Sequence, residues 1–175
     1  MIIMPMRQSA QRIKGLGFVL WHARHEFYHV LLGLVWAWFL REWWNEFNVR
    51  WIWWALFASL LPDADHVLYF FLYGRKDWYA REIRNLLWSR QWRNLATFIE
   101  NGHKSNTSLA THNIYFILLF FGFAAISLSI ELRVGVIFFG AMIIHYVFDI
   151  VDDLLSLGRV NPNWKRLKRI KARGQ

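Results

Sequence analysis

The 175-residue sequence predicts an all-α polytopic membrane protein, with about four transmembrane helices and amphipathic helical structure on the cytoplasmic surface, in one membrane domain over residues 1–175. Three observations carry this. Hydrophobic residues make up 56% of the chain and gather into uninterrupted apolar stretches, whereas a soluble domain interleaves apolar and polar residues at helical or strand spacing. Charged residues lie mostly between those stretches, so mean hydropathy is only +0.19 although long segments carry no charge. The basic excess, 21 Lys and Arg against 12 Asp and Glu, divides unevenly among the intervening segments. The apolar content excludes a disordered chain.

Each span has roughly the 20 residues that a bilayer crossing requires. Met1 to Met6 is too short for the apolar core of a cleavable signal, and Arg7, Arg12 and Lys14 follow it. The first span covers about residues 27–44, with no charge from Val30 to Leu40. The second covers about 49–73 and is interrupted by Pro62-Asp63-Ala64-Asp65-His66, which puts its carboxylates inside the membrane boundary. Pro62 is tolerated there where neighbouring helices or trapped water satisfy the freed backbone groups. The third and fourth spans cover about 111–130 and 134–155. Residues 77–100 mix Trp78, Tyr79, Ile83, Leu86, Leu87, Trp88, Trp92 and Leu95 with arginines, as helices lying on the membrane surface do. The tail, 159–175, is basic and suited to anionic headgroups.

Eighteen of the 21 basic residues precede the first span, lie between the second and third, or follow the fourth. By the positive-inside rule both termini and the middle segment are cytoplasmic, in an integral protein of a prokaryotic plasma (inner) membrane. Trp36, Trp38, Trp43, Trp44, Trp51, Trp53 and Trp54 then form an aromatic belt at the opposite interface. The net charge of +9 is thereby read as topology. No nucleic-acid-binding motif accompanies it, so the expected partners are membrane lipids and other membrane-protein subunits, with no nucleic acid.

The chain has no cysteine, which excludes a disulfide scaffold, a thiolate nucleophile and Cys-based zinc or iron–sulfur sites. A metal must be held by His, Asp or Glu. In the expected topology these residues converge on the cytoplasmic leaflet: His25 and His29 from span one, Asp63, Asp65 and His66 from span two, His112 before span three, and His145, Asp149, Asp152 and Asp153 from span four. Ionisable groups are costly within a membrane and mark function or a specific partner. His22, Glu26 and His29 share one helix face, and His145, Asp149 and Asp152 another. Imidazole and carboxylate without thiolate suit Zn, Mn, Fe or Ni better than Cu(I). A lone His near a helix end is an ordinary interfacial hydrogen-bonding group, the bland reading of His22, His25 and His103. Asp152 and Asp153 read as solvated residues at a helix end, one of them placed to orient a histidine.

The motifs resemble the YdjM-like membrane-bound metal-dependent hydrolases. His29-Val30-Leu31-Leu32-Gly33 resembles that family's His-x-x-x-Gly, and Leu61-Pro62-Asp63-Ala64-Asp65-His66 its Leu-Pro-Asp-x-Asp-His. Thr111-His112 resembles its Thr-His, and His145 with Asp149 its His-x-x-x-Asp. One departure is that His103 and His112 are separated by eight residues where the family usually has four. The resemblance implies a hydrolase using one or two divalent ions, Zn or Mn, held by His29, Asp63, Asp65, His66, His112, His145 and Asp149. His66 or Asp63 is the implied general base, and the leaflet position favours a lipid or phosphoester substrate. The competing reading is a non-catalytic structural or accessory subunit of a larger membrane complex, retaining a metal or polar cluster.

Overall fold

The computed structural model describes residues 16–106 and 108–165, with side chains at 23–102 and 108–165. His22, His103 and residues 166–175 of the basic tail therefore lie outside the described side chains. All regular structure among the described residues is helical: α1 (Leu16–Trp44), α2 (Val49–Leu60), α3 (Ala64–Leu68), α4 (Trp78–Trp88), α5 (Trp92–Asn106), α6 (Ile114–Ser129) and α7 (Arg133–Leu157). A 3-10 turn, Leu61–Asp63, joins α2 to α3, and a π-helical turn, Tyr69–Tyr73, follows α3.

Two helical stretches, Val49–Tyr73 and Arg133–Leu157, are each 25 residues long and apolar enough to cross a membrane. At the α-helical rise, 25 residues span about 37 Å, enough for a hydrocarbon layer of about 30 Å. The apolar α6 is shorter, at 16 residues. It begins at Ile114 because the Asn113 side chain accepts hydrogen bonds from the Tyr115 and Phe116 amides. Helix α7 ends at Gly158, whose φ of 66° lies in the left-handed region that glycine adopts without a Cβ clash.

Helix α7 packs against α1, α2 and α6. In lipid, helix association depends on close packing, which small residues permit. Gly33 of α1 faces Ser59 of α2, where an added Cβ would come within 2.9 Å of the serine Oγ. Gly140 of α7 receives the Trp36 ring, to which a Cβ would come within 2.5 Å. The Trp36 indole N–H donates to the Ile137 carbonyl at 3.2 Å. Trp36 is thus drawn into the α1–α7 contact, and Trp51 is buried, edge-on to Trp44. Of the tryptophans expected in the belt, Trp51 is buried in the core, and Trp36 and Trp44, both partly buried, pack against it. Trp38, Trp43 and Trp53 remain outward, each at least 60% exposed.

Helices α4 and α5 pack on each other, and α4 packs on the Tyr69–Tyr73 turn. Their contact is a small core of Tyr69, Tyr79, Ala80 and Ile83, with Leu95, Phe98 and Ile99 against it. The Arg84 guanidinium donates to the Phe70 and Arg75 carbonyls, both at 2.5 Å, which satisfies backbone groups where the preceding helix ends. Trp78, Trp88 and Trp92 remain exposed on this pair.

Candidate metal centre

The polar residues meet where four parts of the chain converge: α1, the α2–α3 junction, the turn before α6, and α7. Asp149 is the common neighbour. Its Oδ1 lies 3.3 Å from both His25 Nε2 and His29 Nε2. Its Oδ2 lies 3.2 Å from His145 Nε2 and 3.6 Å from His112 Nε2. His25 and His29 are one turn apart on α1, and His145 and Asp149 one turn apart on α7, so each pair shares a helix face. His29 stacks on His145 with ring centres 3.7 Å apart.

Two histidines are held from behind. His145 Nδ1 donates to the Ser59 carbonyl at 2.6 Å, in the stretch where α2 gives way to the 3-10 turn at Pro62. His112 Nδ1 faces Asp65 Oδ2 at 3.4 Å. With a proton on each Nδ1, both Nε2 atoms present lone pairs to the site. Both Nε2 atoms are buried without a hydrogen-bond partner among the described residues, as is Asp63 Oδ2. Lone pairs of two imidazoles thus face a carboxylate oxygen, an arrangement that requires a proton or a cation between them. This donor set of nitrogen and oxygen atoms fits a divalent cation.

The structure brings His25, His29, Asp63, His66, His112, His145 and Asp149 into overlapping groups of three whose ligand atoms lie within 4.8 Å of one another. A model of the YdjM inner membrane protein family matches residues 25–154, a stretch containing every member of this cluster. The chain belongs to the YdjM inner membrane protein family. Among curated proteins and solved structures, nothing matches it. The YdjM assignment and the two long apolar helices together make it a membrane protein.

Asp65 stands outside the overlapping groups in this YdjM protein. Its Oδ2 accepts from the Thr111 amide at 2.7 Å and the Thr111 hydroxyl at 2.8 Å, and its Oδ1 accepts from the Tyr73 hydroxyl at 2.5 Å. Facing these donors, the carboxylate ties α3 to the turn before α6 and backs His112. Tyr73 also accepts from the Ala110 amide at 3.1 Å, fixing the same turn. Asp63 Oδ1 lies 3.8 Å from His145 Nε2, and the His66 ring centre 5.3 Å from that of His112.

Sequence reasoning set His25 aside as an interfacial residue, yet its Nε2 lies 3.0 Å from His29 Nε2. The i,i+4 spacing with His29 was the available signal. The Ser59 carbonyl left none, since every residue carries one. Asp153, read from sequence as solvated, is buried and accepts from the Trp164 indole at 3.0 Å. Trp164 belongs to the 3-10 turn Pro162–Lys165, which returns after α7 so that the indole lies 5.9 Å from the His112 ring.

Proposed function

We propose that this protein is a membrane-embedded metal-dependent hydrolase with its His/Asp site near the cytoplasmic leaflet, acting on a lipid or another amphiphilic phosphoester. In this reading α1, the Val49–Tyr73 stretch, α6 and α7 cross the bilayer, both termini are cytoplasmic, and α4–α5 rest on the inner surface. The observation that carries it is the pair of buried Nε2 atoms, on His112 and His145, turned onto Asp149 by the groups behind them.

His112, His145 and Asp149 would hold the cation, Zn or Mn, with Asp63 at its edge. A divalent ion there supplies Lewis acidity, lowering the pKa of water and polarising a phosphoryl or carbonyl oxygen. The protein's own residues do the rest. Asp63 Oδ2, buried and without a hydrogen-bond partner, accepts the proton from the attacking water. As the bond from phosphorus to the leaving oxygen breaks, His66, on the adjoining turn of α3, relays that proton to the departing alcohol. Asp65 and the Ser59 carbonyl keep the two imidazoles oriented throughout. The exposed apolar faces of α1, α6 and α7 support a substrate that reaches the site from the lipid phase.

The test is hydrolysis by detergent-purified protein of a panel of phospholipid and lipid-linked phosphate substrates, with and without added Zn²⁺ or Mn²⁺. Turnover that depends on metal and is lost in Asp63→Asn supports the reading. Tight metal retention with no turnover on any member favours an accessory subunit instead.

A further inference from the structure

The two oxygens of Asp149 serve different histidines. Oδ1 is 3.3 Å from the Nε2 atoms of His25 and His29, and Oδ2 faces those of His112 and His145. The α1 pair is the half of the cluster for which the hydrolytic reading above finds no use. Its two Nε2 atoms and Asp149 Oδ1 form a compact triangle with sides of 3.0, 3.3 and 3.3 Å. Ligands about 2.1 Å from a metal stand about 3.4 Å apart in a tetrahedral site and about 3.0 Å apart in an octahedral one. The triangle matches one face of such a polyhedron.

A simple hydrogen bond between the two rings accounts for this less well. A linear head-to-head N–H···N contact would separate the ring centres by about 5.3 Å, given the preference for angles near 180°. The centres are 4.5 Å apart and the rings are nearly perpendicular, at 85°. The rings are therefore bent towards each other, with both nitrogens beside Asp149 Oδ1. A proton shared by His25 and His29 would satisfy one contact of the triangle, whereas a cation satisfies three.

We propose that the centre holds two divalent cations, the second bound by His25, His29 and Asp149 Oδ1, with Asp149 bridging it to the ion at His112 and His145. This rests on the reading of the cluster as a metal centre. A carboxylate giving one oxygen to each ion suits the separation of about 3.5–4 Å found in two-metal hydrolytic sites. His29 is wholly buried and His25 partly exposed, so the second ion has its solvent side at His25. Its open positions would face water or an anionic substrate oxygen, which deepens the assignment of a phosphoester: two cations can clamp two oxygens of one phosphoryl group.

The experiment titrates the full-length, metal-stripped protein in detergent with Mn²⁺ and follows bound metal by equilibrium dialysis and electron paramagnetic resonance. The wild type is expected to bind two equivalents and to show the broadened spectrum of a spin-coupled pair. His25→Gln/His29→Gln is expected to lose one of the two equivalents and to show the six-line signal of an isolated ion. Wild-type saturation at one equivalent overturns the second site while leaving the His112–His145 site standing. Two uncoupled ions overturn the bridge, and a double variant that still takes two overturns the ligand assignment. No binding at all removes the metal reading itself. The wild-type spectrum decides the matter even where the double variant fails to fold.

Discussion

Asp65 Oδ2 lies 3.4 Å from His112 Nδ1, and the opposite face of that imidazole turns its Nε2 onto Asp149, 3.6 Å from Oδ2. One carboxylate thus orients a histidine that another carboxylate faces. Asp65→Asn replaces a group facing several donors by an amide that must turn its own N–H towards one of them. Loss of such a supporting partner weakens metal binding by about 10–100-fold. Competition against a chromophoric chelator measures this, and unchanged affinity would show that Asp65 only ties the backbone together.

Gly140 lies under the Trp36 ring. Gly140→Ala pushes the indole from its slot and strains its hydrogen bond to Ile137, at a cost of about 1–3 kcal/mol for overpacking. Gly122→Ala is the control, since a Cβ there meets nothing within 4 Å. Thermal unfolding in detergent is expected to show a lowered midpoint for the first variant only. Equal effects from both would mean that the α1–α7 contact is looser than described.

Trp164 holds the chain after α7 across the bundle by donating to Asp153. Trp164→Phe keeps the ring and removes the N–H, leaving a buried carboxylate oxygen short of a donor at a cost of about 1–3 kcal/mol. Hydrogen exchange at 158–165 is expected to accelerate while α7 itself stays protected. Exchange unaltered by the substitution would place the anchoring of this segment elsewhere.

The native chain lacks cysteine, so single cysteines report topology without a background. Phe47→Cys, between α1 and α2, is expected to react with a membrane-impermeant maleimide in intact cells. Gln91→Cys, between α4 and α5, is expected to react only after permeabilisation. The reverse pattern would invert the proposed orientation.

Sequence carried the helical class and most of the cluster because both rest on periodicity. His29, His145 and Asp149 stand out as polar residues at helical spacing in apolar runs, and Asp63, Asp65 and His66 as a polar break in another. It could not separate Asp63 from Asp65, since the roles depend on which carboxylate Thr111 and Tyr73 reach across the fold. His25 looked ordinary because its partner oxygen lies more than a hundred residues away, on α7. The tryptophans of the belt were equally alike in sequence. The slot over Gly140 and the bond to the Ile137 carbonyl distinguish Trp36 from Trp38.

On the reading proposed above, Asp149 and the imidazoles around it hold a divalent cation. The deciding measurement is elemental analysis of protein purified in detergent without chelator, wild type beside Asp149→Ala. Stoichiometric Zn or Mn is expected in the wild type and its loss in the variant, with both retaining helical circular dichroism. Divalent metal absent from both proteins, or equally retained by a folded Asp149→Ala, would contradict it.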